Sequence, residues 1–372
     1  TRPDDLIEDE EIDIIIELMG GTDQAYDFVT RALHAKKPVI TGNKALLAER
    51  GIDLISLAEE ENVPLYFEAA VAGGIPIIKT VGEALVANRI ESIHGIINGT
   101  CNYILTRMTS AGLTYEAALA ESQDLGYAEA DPTLDVNGWD AAHKAIILAW
   151  LSYGRWIKPG DIHVEGIERI GAADIAFAEK LGYHIKLVGV VAQEEDGRVE
   201  VRVQPSLLPR AHILANVNGV FNAIALRGDV VGETLFYGSG AGQDATSSSV
   251  IADVVDVASN LAAGIGYDGF LPHGEYGEAL PIDETVSEYY LRLNVDDRPG
   301  VIASITSILG KRGIGILSVI QPEPEDHGEA GSAALVLTIH DATYGNMRGA
   351  VAEIEQLACI RGAPVFYRIE KL

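Results

Sequence analysis

Asp140 and Lys144 are the residues whose types and spacing suit acid–base chemistry. They stand four positions apart in a predicted helix, so both lie on one helical face, which Ile147, Leu148 and Leu151 continue. Because the rest of this face is apolar, we expect it to point inward and to place the charged pair in a cleft. A lysine ammonium held there can stabilise an oxyanion and protonate it. The alternative is a solvent-exposed pair that stabilises the helix by about 0.2–0.5 kcal/mol.

Further carboxylates precede this helix in a polar loop that begins at Gly126. The loop contains Glu129, Asp131 and Asp135, and Asn137 follows as a candidate N-cap of the helix. Four carboxylates around one site would repel each other. We therefore expect a cation, or a cationic group of the substrate, to lie among them.

Alternating strands and helices near the start of the chain indicate how such a site is positioned. Strands are predicted within residues 11–21, 38–40 and 64–67, with helices between them. This alternation is half of a doubly wound, Rossmann-type sheet, which we assign to residues 1–70 and call the parallel unit. Ligands bind at the carboxyl ends of such strands, where this sequence has Gly20–Thr22, Asn43–Lys44 and Glu68.

Glycine-rich loops give a second indication of nucleotide binding. The loop G-x-G-x-x-G normally follows the first strand of a dinucleotide-binding sheet, and it does not occur there in this sequence, so we expect a fragment of a longer Rossmann domain. Gly238, Gly240 and Gly242 precede a predicted helix over residues 243–263. Backbone N–H groups at such a helix start favour anions, and the helix would complete the partial sheet. The alternative is a flexible Gly/Ser connector.

Three further regions follow the parallel unit. Residues 71–242 are predicted to form an α+β catalytic and dimerisation domain with a mostly antiparallel sheet, including a helix over 77–87 and a strand over 162–167. Residues 264–287 are rich in Gly, Pro and acidic residues, which predicts a linker. Residues 288–372 have the order β-α-β-β-α-β, which predicts a separate ferredoxin-like domain.

The composition restricts the class of protein and its partners. The chain has 372 residues and a formal net charge of −28, which argues against nucleic acid or an anionic membrane surface as a partner. Cys101 and Cys359 form no ligand pattern and favour a reducing compartment. No apolar run approaches the length of a bilayer span, and the acidic first residues are not a signal peptide. We expect a cytoplasmic homo-oligomer, a dimer or a tetramer.

Five segments together resemble the homoserine dehydrogenase family. They are GGTDQAYDFVTRALHAKKPVITGNKALLA, EAAVAGGIPII, GIINGTCNYIL, GYAEADPTLDVNGWDAAHK and GSGAGQDATSSSVIADV, in that order. The later segment LRLNVDDRPGVIASITSILGKRGIGILSVIQ resembles an ACT domain, a module that commonly senses an amino acid. The resemblance implies reduction of L-aspartate 4-semialdehyde to L-homoserine with NADPH or NADH, in threonine, methionine and isoleucine biosynthesis.

The resemblance also implies roles for residues of the carboxylate loop and the helix after it. Lys144 is expected to be the proton donor, held in place by Asp140. Asp140 and Glu129 are expected to bind the amino-acid end of the substrate. Gly126 and Glu129 are expected where the substrate and the cofactor meet.

Cofactor and cation sites are expected at strand ends and glycine-rich turns. Cofactor contacts are implied at Gly21, Thr22, Lys44, Gly240 and Gly242. A monovalent cation, usually sodium, is implied at Glu68 and the backbone of Val71, Gly73 and Ile75. The alternative for that segment is a plain strand-to-helix turn. NADP and NAD are not distinguished, because the discriminating residue belongs to the part of a Rossmann sheet that the sequence does not contain.

Two classes of function remain open at this point. The first is the oxidoreductase, with threonine as a feedback regulator bound near residues 294–300 of the ACT domain. The second is a non-catalytic amino-acid sensor, in which an ACT domain is carried on a degenerate dehydrogenase body. An ACT fold can also serve as a dimerisation module without a ligand.

Overall fold

The first unit of the fold is a small parallel sheet, seen in a computed structural model that describes residues 3–266, 276–321 and 331–372. Its elements are α1 (Pro3–Glu8), β1 (Ile15–Glu17), α2 (Asp23–His34), β2 (Val39–Thr41), α3 (Lys44–Glu61) and β3 (Leu65–Tyr66). The three strands are parallel and hydrogen-bonded in the order β1-β2-β3. The predicted parallel unit is therefore confirmed.

An antiparallel sheet backed by helices follows the parallel unit, as predicted. Its strands are β4 (Ile90–Ile96), β5 (His163–Val164), β6 (Tyr183–Gln193), β7 (Val199–Pro209), β8 (Phe221–Gly228) and β9 (Gly232–Ser239). Its helices are α4 (Ile77–Lys79), α5 (Gly99–Ala111), α6 (Tyr115–Asp124), α7 (Thr133–Val136), α8 (Trp139–Tyr153) and α9 (Ala172–Lys180). Helix α8 packs against β6 and β7 and also against α3, so it joins this sheet to the parallel unit.

Two predicted elements of this region were wrong in extent. The helix expected over 77–87 is the short α4, followed by a wider π-type turn over Thr80–Ala84. Gly82 lies within that turn, and glycine weakens a helix through its conformational freedom. The strand expected over 162–167 is only the two-residue β5, because the chain then turns and Ile167 N–H bonds to the Val136 carbonyl.

Helix α10 (Gln243–Ala263) has the limits that the sequence predicts. It returns to the parallel unit, where Val250 and Val257 pack with Ile40 of β2. The helix thus packs on the three-stranded parallel sheet, as expected. No helix within the described ranges is long and apolar enough to cross a bilayer.

The C-terminal region has the ferredoxin-like order that the sequence predicts. Its elements are β10 (Val286–Asp296), α11 (Val301–Lys311), β11 (Ile316–Ile320), β12 (Ser332–Thr343), α12 (Tyr344–Glu355) and β13 (Val365–Ile369). The two helices cover one face of the four strands, and Leu291, Ile305, Leu337 and Met347 lie in a core of their own. This core is distinct from the larger one beneath strands β4–β9. We call the sheet of β4–β9 the catalytic sheet, because it belongs to the predicted catalytic domain.

The predicted separation of the ferredoxin-like domain is corrected in one respect, because its sheet is continuous with the catalytic sheet. Strand β13 pairs in parallel with β7, where Arg368 lies opposite Ser206 and Ile369 opposite Leu207. The predicted linker is also partly built into the fold. Residues 276–281 contact the larger domain, where Gly277 N–H donates to the Trp156 carbonyl. Residues 267–275 of the linker lie outside the described residues.

Candidate active site

The N-terminus of α8 places Asp140 and Lys144 inside the protein. Lys144 is 7% exposed and Asp140 is 9% exposed. The Lys144 ammonium donates to Asp140 Oδ2 at 2.7 Å and to the carbonyl of Ile97, which follows β4, at 2.7 Å. The alternative of a solvent-exposed pair is therefore wrong, and the inward orientation is confirmed.

Lys44 reaches the same carboxylate from the carboxyl end of β2. Its ammonium lies 3.0 Å from Asp140 Oδ1. Asn43 fixes the start of α3, because its Oδ1 accepts from Leu46 N–H while its Nδ2 donates to the carbonyl of Gly21 after β1. Two strand ends of the parallel unit are thus tied together beside α8.

Two lysines determine the charge state of Asp140. Burial alone would raise the pKa of this carboxyl, but Lys144 and Lys44 together hold it well below its usual range. In return, the charge of Asp140 raises the pKa of Lys44 against the opposing effect of burial. The cluster is therefore one buried carboxylate held between two lysines.

Asn98 and Asp135 also belong to this cluster. Asp135 was expected among the loop carboxylates but was given no role, and Asn98 was not predicted as a site residue. Asn98 Nδ2 donates to Asp135 Oδ1 at 2.8 Å and to Asp140 Oδ2 at 2.9 Å. Burial and the nearby Asp140 charge raise the pKa of Asp135. The available sequence signal was the polar Asn98-Gly99-Thr100 turn, which follows the apolar residues at the end of β4.

The carboxylate loop runs past this cluster and keeps its first part exposed. Gly126 has φ +76°, and Glu129 is solvent-exposed. The loop is attached through Thr100 Oγ1, which donates to the Tyr127 carbonyl at 2.8 Å. The charge of Glu129 contributes to the raised pKa of Lys44, after the larger effect of Asp140, so Glu129 lies close enough to that lysine to act on it.

The two glycine-rich segments meet each other at the start of α10. A Cβ added to Gly73 would lie 2.5 Å from the Gly240 carbonyl oxygen, so this approach requires glycine. Gly242 has φ +104° and begins α10 without a side-chain cap, and Thr22 likewise begins α2 without one. Uncapped helix starts beside Gly21 and Gly242 fit the phosphates of a nucleotide.

Glu68 is buried and forms a second polar cluster with α10. Its carboxylate accepts from Ile78 N–H and Lys79 N–H, both at 2.9 Å, so it caps the turn after Pro76. Its own N–H donates to Asp253 Oδ2 at 2.9 Å. Burial raises the pKa of Glu68 to about 7.

The segment in which a cation was expected, residues 71–75, forms a turn with unusual backbone angles. Ala72 and Gly73 are consecutive residues with positive φ, +56° and +48°. The Gly73 carbonyl accepts from Ser249 Oγ at 2.6 Å, while Val71 and Ile75 are buried. The described residues contain no group of three or more His, Cys, Asp or Glu side chains that could hold a metal ion.

The structure brings four of the predicted site residues together at one edge of the parallel sheet. Lys44, Asp140 and Lys144 are in contact there, and Gly21 is joined to them through Asn43. A parallel sheet with uncapped helix starts, flanked by two lysines and a buried carboxylate, has the features of a nucleotide-dependent oxidoreductase.

Similarity to known proteins identifies the family. The chain is 44% identical over 97% of its length to the homoserine dehydrogenase of Pseudomonas aeruginosa, of which it covers 84%. It is 42% identical over its full length to that of Neisseria gonorrhoeae, of which it covers 85%. The chain belongs to the homoserine dehydrogenase family.

Domain models and solved structures agree with this assignment. Residues 1–68 match the model for "Homoserine dehydrogenase, NAD binding domain", residues 76–255 that for "Homoserine dehydrogenase", and residues 289–359 that for "ACT domain". The homoserine dehydrogenase of Thiobacillus denitrificans superposes with a TM-score of 0.94 at 42% identity, over 100% of this chain and 85% of that one. A hyperthermophilic archaeal relative in complex with NADPH gives a TM-score of 0.61 at 31% identity, over 70% of this chain and 76% of that one.

Proposed function

We propose that the cluster at the N-terminus of α8 carries out the reduction of L-aspartate 4-semialdehyde to L-homoserine, with Lys144 as the proton donor. The observation that carries this proposal is a buried lysine held by Asp140 beside two strand ends of a nucleotide-binding sheet. NADPH or NADH, when bound, supplies the hydride. The alternative of a non-catalytic sensor has no comparable support, because a sensor does not need this cluster.

Lys144 has one ammonium proton directed at the substrate in this proposal. Its bonds to the Ile97 carbonyl and to Asp140 Oδ2 use two of its three N–H donors. The third can donate to the aldehyde oxygen, where negative charge develops, and then transfer its proton. Asp140 fixes the lysine in this position, and Lys44 on the other oxygen adds positive charge at the nicotinamide side of the cluster.

Glu129 is the carboxylate best placed to bind the substrate ammonium. Both oxygens of Asp140 already meet a lysine, whereas the Glu129 side chain is exposed at the mouth of the loop. We infer that Glu129 binds the ammonium directly, while Asp140 acts chiefly through the two lysines. Gly126, with its positive φ, turns the loop so that Glu129 reaches the place where substrate and cofactor meet.

Glu129→Gln is expected to raise KM for homoserine by roughly 10- to 100-fold, because a hydrogen bond to a charged group contributes about 1.5–3 kcal/mol. kcat should change much less, since the interaction is present in ground state and transition state alike. Steady-state kinetics in the oxidative direction measure both constants. Glu116→Gln is the matched control, because Glu116 is a solvent-exposed carboxylate in the first turn of α6. Unchanged KM in the Glu129 variant would contradict this role.

The nucleotide in this proposal lies along the strand ends and the two uncapped helix starts. Gly21 and Thr22 meet it at α2, and Gly240 and Gly242 at α10, with Lys44 near the nicotinamide. Backbone N–H groups at such positions favour phosphate oxygens. The positive φ of Gly21 and of Gly242 supports this placement, because a side chain would be strained there.

A monovalent cation, sodium, is proposed at the turn around Val71, Gly73 and Ile75, beside the backbone of Glu68. Consecutive positive φ angles at Ala72 and Gly73 support this site, because strained backbone of this kind is common where a ligand binds. The Glu68 carboxylate is not a ligand in this arrangement, because it caps the following helical turn. The proposed site is thus formed by carbonyl oxygens, and the sodium dependence of activity tests it.

The ACT domain is proposed to bind threonine at residues 294–300 as a feedback regulator of the pathway to threonine, methionine and isoleucine. Gly300 has φ +93° and begins α11 without a side-chain cap, which leaves backbone donors for an amino-acid carboxylate. We further propose that the protein acts in the cytoplasm as a homo-oligomer.

Threonine is therefore expected to lower the reductase rate and to raise the thermal midpoint, because a ligand that binds only the folded state stabilises it. Titrations that follow both quantities measure the effect. Valine, which has the shape of threonine without its hydroxyl, is the matched control ligand. No change in rate or in midpoint with threonine would count against regulation at this domain.

A further inference from the structure

Asn98 occupies a position between β4 and α5 that links a helix cap to the active site. It is 4% exposed. Its Oδ1 accepts from Cys101 N–H at 2.8 Å, so it is the N-cap of α5. Its Nδ2 donates to two carboxylates, Asp135 Oδ1 at 2.8 Å and Asp140 Oδ2 at 2.9 Å. All the polar atoms of this side chain are therefore used at once.

The cap determines the direction in which the amide points. Because Oδ1 must face the helix N–H, both hydrogens of Nδ2 face away from the helix, towards α7 and α8. Serine, threonine and aspartate cap helices comparably well, but none of them has an NH₂ group. A cap at this position therefore admits several residues, whereas a cap that also donates to two carboxylates requires asparagine.

The two donated hydrogen bonds hold carboxylates that otherwise repel each other. Asp135 lies on α7 and Asp140 on α8, and Asp140 also carries the bond that fixes Lys144. The peptide unit before Asn98 presents the Ile97 carbonyl to the same lysine at 2.7 Å. One short segment after β4 thus constrains the proton donor, its carboxylate and the neighbouring carboxylate.

We propose that Asn98 is a positioning residue for the reduction, which sets the distance and the orientation of Asp135 and Asp140 around Lys144. The inference rests on the proposed role of Lys144 as the proton donor. Asn98 itself touches neither substrate nor cofactor in this scheme. It acts through the two carboxylates, and its amide keeps both of them ionised close to each other.

The pH dependence gives a readout that a purely structural cap would not change. The charged or titratable groups facing Asp135 are Asp140 and Lys144 of α8, Lys44 of α3 and Cys101 of α5. Burial and Asp140 raise the pKa of Asp135, while the Asn98 hydrogen bond lowers it. Loss of the amide therefore raises the pKa of Asp135 further, and Asp135 becomes protonated at a higher pH.

Asn98→Ser is the variant that separates the two functions, because serine retains the cap and has a single hydroxyl donor, so at least one of the two carboxylates loses its hydrogen bond. We expect kcat/KM to fall by roughly 10- to 100-fold, as for loss of hydrogen bonds to charged groups. The acid limb of the kcat/KM profile should move to higher pH. Asn98→Asp, which retains the cap but adds a third carboxylate, should lose more activity than Asn98→Ser and show the same direction of shift.

Controls distinguish positioning from folding and from failure of the proposed function. Asn88→Ser removes an amide near β8 and should leave kcat/KM and its pH profile unchanged. Wild-type kcat/KM in Asn98→Ser overturns the proposal, and so does an equal loss at every pH with a lowered thermal midpoint. A Lys144→Met variant that remains active refutes the proton-donor role instead, whatever the Asn98 variants show.

Discussion

Lys144→Met is expected to lower kcat for aspartate semialdehyde reduction by about 10²- to 10⁴-fold, the usual contribution of a positioned general acid. Lys144 is buried, and its bonds to Ile97 and Asp140 leave one proton to meet the developing alkoxide. Methionine has a similar length and no charge, so it fills the same space without a donor. The loss should therefore appear in the chemical step and not in packing.

Single-turnover and steady-state rates in both directions measure this loss, and fluorescence titration of the reduced nucleotide checks that cofactor binding persists. Lys144→Arg is the second variant, because it keeps a positive charge but does not release a proton near neutral pH. If charge alone were sufficient, Lys144→Arg would stay active while Lys144→Met would not. A normal kcat in Lys144→Met would remove the central assignment of the site.

The four-residue spacing of Asp140 and Lys144 was sufficient to predict their common helical face, and the apolar residues after them predicted burial. Both expectations are confirmed. The partners of the pair were harder to predict, because Lys44 begins α3 and Asn98 precedes α5, so neither has a periodic relation to α8. The position of Lys44 at a strand end indicated it as a candidate. Asn98 caps a helix and also donates to two carboxylates, but in the sequence it is seen only as part of an ordinary Asn-Gly turn.

The junction between the ACT sheet and the catalytic sheet was beyond prediction for a related reason. Strand β13 pairs with β7 through only two residue pairs, which produce no pattern of their own. Arg202 and Glu370 are charged residues that ordinarily lie at the surface. Here both are buried, and the Arg202 guanidinium donates to the two Glu370 oxygens at 2.8 and 2.9 Å. Ser206 Oγ donates to Glu370 as well, at 2.7 Å.

Glu370→Ala is expected to lower the free energy of unfolding by about 3 kcal/mol, the lower end of the cost of leaving one partner of a buried ion pair without the other. The lower end applies because Arg202 keeps a second bond, from Nε to Glu200 Oε1 at 2.6 Å. Urea denaturation followed by circular dichroism measures the change. Lys371→Ala is the matched control at the next position, because Lys371 is exposed and its ion pairs are solvated, so its loss should have little effect.

The pH dependence of this effect gives the sharper test. Burial alone would raise the pKa of Glu370, but Arg202 lowers it to about 2 in the folded protein, against the ordinary glutamate value of 4.5. A depressed carboxyl pKa contributes stability that is fully present above the unfolded value and is lost as pH falls through the folded one. The difference between wild type and Glu370→Ala should therefore be constant above pH 4.5 and shrink between pH 4.5 and 2. A difference that is the same on both sides of this window would show that packing, and not the ion pair, joins the ACT sheet to the catalytic sheet.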